Sequence, residues 1–128
     1  MPGMQGKVAR GLVTAGSIVL IVSAVLHALG GVKVGFPALR SSNLAPGMQA
    51  AFRVVFLSLG WHWLVLAAVV LLANSSPGRM RRALILLCGL AVLIEAVVGA
   101  GMMGLFIGNE MIGVAGLLLV CGGLIPAS

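Results

Sequence analysis

The sequence predicts an all-α polytopic membrane protein, a four-transmembrane-helix bundle, on three observations. The chain is 61% hydrophobic and 8% charged over 128 residues, where a soluble domain carries about 25% charged residues. Its charges flank long apolar runs instead of interrupting them. Those runs are each near the ~20 residues that a helix needs to cross a hydrocarbon core. Ten charged side chains could not supply the polar surface of a water-soluble domain of this size.

The first span is read over residues 11–32. A basic start with Lys7 and Arg10 precedes the uncharged run Gly11–Val32. Ser17–Leu26 followed by Ala28-Leu29-Gly30 also fits a signal peptide with a small-residue cleavage site. The apolar run is long for that role and carries His27, so a retained span is the preferred expectation. Residues 33–49 read as the longest polar connection, with Lys33, Gly35, Pro37, Arg40 and Ser41-Ser42-Asn43. Ser42 or Asn43 could cap the next helix, with Pro46 in its first turn. The second span is read over 50–74, with Arg53 near its entrance, able to snorkel.

Asn74-Ser75-Ser76-Pro77-Gly78 is a turn signal, followed by Arg79-Met80-Arg81-Arg82. From Ala83 to Ile125 the strongly polar residues are Glu95, Asn109 and Glu110. That stretch holds two spans, read as 83–107 and 110–126 with Asn109-Glu110 as the turn. The single transmembrane domain therefore covers 1–128.

The formal charge of +6 raises nucleic acid as a partner. All eight basic residues flank apolar runs, however, and aromatic residues are not interleaved with them. The lipid bilayer is the expected partner, with a homo-oligomer or larger membrane complex beyond it. Lys7, Arg10, Arg79, Arg81 and Arg82 share one side; Lys33, Arg40 and Arg53 share the other. The positive-inside rule then places the N- and C-termini in the cytoplasm, with the chain in the cell inner (plasma) membrane.

In lipid, small residues mark helix interfaces because they let backbones approach. Ala96, Ala100, Gly104 and Gly108 form one such ladder at spacing four. Gly11, Ala15, Ser23, His27 and Gly31 form a second. Cys88 and Cys121 lie in apolar runs and match no disulfide or CxxC pattern; they read as small buried hydrophobes.

The chemistry-bearing candidates are Glu95, His62 and His27, the ionisable groups inside the spans. At ~1.5 Å rise per residue, His62 and Glu95 both fall about 12 Å from the outer face, and His27 about 8–9 Å. Three helices thus bring a polar group to a similar depth. An ionised carboxylate there is costly, so Glu95 should be protonated, paired or facing water. It reads equally as a proton-exchanging group and as a hydrogen-bonded structural one. His62, in Trp61-His62-Trp63 with Ser58 a turn earlier, reads as a buried imidazole bonded to a neighbouring helix. The alternatives are a haem or metal ligand, or a proton partner of Glu95. His27 and His62 could ligate a b-type haem, with Gly30, Gly31 and Gly60 giving the ring room. A His27/His62/Glu95 metal site has suitable ligand types but no spacing motif.

With Ala50–Ala73 in view (AAFRVVFLSLGWHWLVLAAVVLLA), the chain resembles small bacterial membrane proteins with four predicted helices. The likeness rests on overall layout and on the Arg53-to-His62 approach to helix two, and it transfers no activity. A lone membrane glutamate is also similar to that of the small multidrug-resistance transporters, which place theirs in the first helix; Glu95 belongs to the third.

No phosphate loop, HExxH helix or nucleophile motif is present, so an enzyme is not the expectation. The leading functional reading is a non-catalytic accessory or scaffold bundle. A small oligomeric proton-coupled transporter using Glu95 is the first alternative, and a haem- or metal-binding protein using His27 and His62 the second.

Overall fold

The computed structural model describes residues 2–76 and 78–126. Its elements are helical throughout: α1 (Pro2–Gly30), a π-helical turn (Gly31–Gly35), α2 (Phe36–Arg40), α3 (Pro46–Ser75), α4 (Arg79–Met103) and α5 (Ile107–Leu124). Four continuous helices, over Gly3–Arg40, Pro46–Ser75, Arg79–Met103 and Ile107–Leu124, are long and apolar enough to cross a membrane.

The helices run alternately up and down and close a ring in which α1 packs on α3 and α5, and α4 on α5 and α3. The α3–α4 seam is the lightest of these contacts. Leu20, Ile85, Leu119, Val13, Val70 and Val92 fill the centre, all fully buried. Outward positions are equally apolar, with Leu72 at 71% and Val97 at 67% exposure. Such a surface suits hydrocarbon rather than water.

The first helix extends beyond the expected boundary of residue 32. Pro37 lacks an N–H and cannot donate to the carbonyl four residues back. The chain widens into π register before it, where the Phe36 N–H reaches the Gly31 carbonyl, and the helix continues to Arg40. The polar connection shrinks to residues 41–45. Ser41 and Ser42 hydroxyls donate to the Ala38 and Leu39 carbonyls at 2.9 and 2.6 Å, closing α2. Neither Ser42 nor Asn43 caps α3; Ala45 holds that position without a side-chain bond, and Pro46 follows.

The turn after α3 falls where expected, with Gly78 at φ 101°, a conformation that favours glycine. The turn between α4 and α5 lies earlier than Asn109-Glu110. Gly104, at φ 80°, ends α4 while its N–H bonds the Ala100 carbonyl at 2.9 Å. Asn109 is buried in the first turn of α5 and donates back to the Gly104 carbonyl at 3.1 Å.

The small-residue ladders are redistributed for the same reason. Ala96 is buried, but Gly104 leaves the helix and Gly108 belongs to α5, so the four-residue ladder breaks after Ala100. The close approach runs instead through Gly89 and Gly116. A Cβ on Gly89 would lie 2.9 Å from Leu119 Cβ, and one on Gly116 would lie 3.0 Å from the Leu93 backbone nitrogen. On α1 and the π turn after it, Ser23, His27 and Gly31 turn inward or against α3, whereas Gly11 and Ala15 are exposed; Gly16 and Ser17 take their place. Cys88 is buried as expected, but Cys121 is exposed.

Candidate functional site

Helices α3 and α4 bring two of the three ionisable candidates into contact. His62 Nε2 lies 2.8 Å from Glu95 Oε1, and the Trp63 indole N–H donates to Glu95 Oε2 at 2.8 Å. Each carboxylate oxygen thus has its own donor. That resolves the penalty of an unpaired carboxylate within an apolar span. Consecutive residues on a helix differ by about 100° in direction, so His62 and Trp63 diverge and straddle the carboxylate. The site is open on one side: the His62 and Glu95 side chains are 45% and 30% exposed, while Trp63 is 4% exposed. Trp61 points outward at 68% exposure.

His27 joins indirectly. Its ring stacks on Phe56 with centroids 3.7 Å apart and meets Trp63 edge-on at 5.0 Å. Its Nε2–H donates to the Phe56 carbonyl at 2.9 Å. Glycine makes this possible at two places. A Cβ on Gly31 would overlap the Phe56 ring, and one on Gly60 would meet His27 Cδ2 at 3.3 Å. Phe56 and His27 therefore occupy the room that Gly31 and Gly60 leave. A shallow apolar groove between α1 and α3 passes this stack, lined by His27, Gly60, Trp61 and Leu64 among others.

Both Nε2 atoms are engaged by protein oxygens, so haem ligation through them would require the Phe56 and Glu95 contacts to open. Among the described residues no group of three His, Cys, Asp or Glu side chains is gathered for a metal ion.

A second polar cluster lies at the opposite end of the bundle, where α1 begins and α4 starts. Asn74, on the last turn of α3, donates to the Arg10 carbonyl at 3.2 Å and to Thr14 Oγ1 at 3.3 Å. Its Oδ1 accepts from the Arg81 guanidinium at 2.8 Å. In the sequence Asn74 belongs to a turn signal and Arg81 to a run of topogenic charges; neither pattern implies burial, yet Asn74 is 9% and Arg81 3% exposed. Phe56 and Trp63 were likewise not singled out as site residues, since aromatic neighbours of a histidine carry no spacing signal.

No family model matches the chain, and no curated protein and no solved structure is found to be similar to it.

Proposed function

We propose that the chain is a non-catalytic accessory or scaffold bundle that docks another membrane helix on its α3–α4 seam. The observation that carries this reading is the outward opening of the His62–Glu95 pair on the lightest seam of an otherwise packed ring. Lipid tails offer the pair no hydrogen-bond partner, whereas a helix presenting a serine, threonine, asparagine or glutamine side chain would. The small-residue contacts are used within the bundle at Gly16, Gly89, Gly116, Gly122 and Gly123. On the seam, the exposed side of the His62–Glu95 pair is open to a further hydrogen-bond partner. A photo-crosslinking residue at Ser58, one turn before His62, should yield a defined adduct in native membranes. A chain that purifies alone and gives no such adduct would sink the docking reading.

A second reading is favoured by the imidazole–carboxylate contact itself, since groups 2.8 Å apart can pass a proton between them. In that reading the chain is a small oligomeric proton-coupled transporter using Glu95. Glu95→Gln would then abolish pH-driven flux in proteoliposomes while the protein still folds; unaltered flux excludes it.

A further inference from the structure

Among the described residues, no acidic side chain lies at the end of the bundle that holds Arg81. Arg81 is 3% exposed, its Nε has no hydrogen-bond partner, and its one side-chain bond goes to a neutral amide, Asn74 Oδ1. Asn74 also bonds the Arg10 carbonyl, so exposed Arg10 belongs to the same corner. Lys7, Arg79 and Arg82 add to this end. The chain's two acidic side chains are Glu95 and Glu110. Glu95 bonds to the mid-α3 pair His62 and Trp63, and Glu110 is in the first turn of α5, at the opposite end. Neither acidic side chain can neutralise the corner. Burying a cation without an ion-pair partner is costly.

The first turn of α4 points the same way. Gly78 provides no side-chain cap and that turn contains no acidic residue. Its leading backbone N–H groups therefore lack intrahelical partners and carry the positive end of the helix dipole. Free N–H groups at a helix start, next to clustered guanidinium groups, are the recognition chemistry of phosphate.

We infer that the corner formed by Arg10, Arg81 and the first turn of α4 binds a phosphate monoanion or diester. Exposed Arg10 and Arg82 and the α4 backbone supply donors, while buried Arg81 supplies fixed positive potential. The phosphate of an anionic lipid headgroup and a free phosphate share this chemistry. A headgroup would also tie the start of α1 to the start of α4 at the membrane surface.

The test uses the purified full chain. Native mass spectrometry with added phosphatidylglycerol or phosphatidylcholine reads lipid retention. Thermal unfolding in inorganic phosphate against chloride, at equal ionic strength, reads a soluble anion. Preferential retention of phosphatidylglycerol, reduced about five-fold by Arg10→Gln and unchanged by Arg40→Gln at the other end, supports a headgroup site. Stabilisation by phosphate that Arg10→Gln removes, without lipid preference, supports a soluble phosphate at the same corner. Equal retention of both lipids with no phosphate effect overturns the inference, as does an Arg10→Gln variant indistinguishable from the parent. Arg10 is exposed and its side chain packs no core, so this variant avoids the folding defect that Arg81→Gln risks.

Discussion

The Glu95 carboxylate is held between adjacent residues of one helix: His62 Nε2 on Oε1 and Trp63 Nε1 on Oε2, each at 2.8 Å. One contact is open to the surroundings and the other is sealed, because His62 faces outward and Trp63 inward. The same carboxylate is thus a structural acceptor on its inner side and an available group on its outer side.

These two halves can be separated by mutation. Glu95→Gln keeps an oxygen for the indole N–H, so folding should be little affected. Glu95→Ala leaves the buried Trp63 N–H without its acceptor and should cost about 1–3 kcal/mol. A double-mutant cycle between His62→Ala and Glu95→Ala, read by reversible unfolding in mixed micelles, should give a coupling of about 0.6–1.7 kcal/mol. A coupling near zero would mean the pair contributes nothing to the fold.

Glycines should divide sharply by position. Gly116→Val places side-chain atoms against the Leu93 backbone, 3.0 Å from the first added carbon, and should destabilise by about 1–3 kcal/mol. Gly11→Ala meets nothing within 4 Å, and should stabilise by about 0.5–1 kcal/mol through helix propensity. Unfolding of both variants under one condition checks the contrast; equal effects would contradict the α4–α5 contact.

Asn74→Ala removes the acceptor for Arg81 and the donor to Arg10 and Thr14 together. A hydrogen bond to a charged group is worth about 1.5–3 kcal/mol, so the loss should reach at least that range. Ser75→Ala, which removes only an exposed hydroxyl bonded to the Leu72 carbonyl, should be within ~0.5 kcal/mol of the parent. Similar losses in the two variants would show that the buried corner is not holding α1, α3 and α4 together.

Topology can be read by labelling single cysteines in a variant lacking Cys88 and Cys121. With cytoplasmic termini, Ser42→Cys is labelled by an impermeant maleimide added outside intact cells, and Ser76→Cys only after the membrane is opened. The reverse pattern would invert the orientation expected from the basic residues. Labelling of both positions from one side would contradict a span between them.

Composition and charge placement were enough for the class of protein, the number of spans and the break between α3 and α4, because lipid demands unbroken apolar helices and punctuates them with glycine and polar residues. They were also enough to nominate Glu95, His62 and His27, since ionisable groups inside such runs are few. The ends of helices were less legible. Pro37 looks like a break, but a π turn absorbs it, and Asn109 looks like a turn residue, but it folds inward to bond Gly104. Only the packed structure decided partners. Which way His62, Trp63 and Arg81 face depends on the rotation of each helix in the ring, and no residue spacing states it. The four-helix bundle is thus written in the chain's hydropathy. The split between a docked carboxylate on the α3–α4 seam and an anion-starved corner at the far end is a property of how those helices were turned against one another.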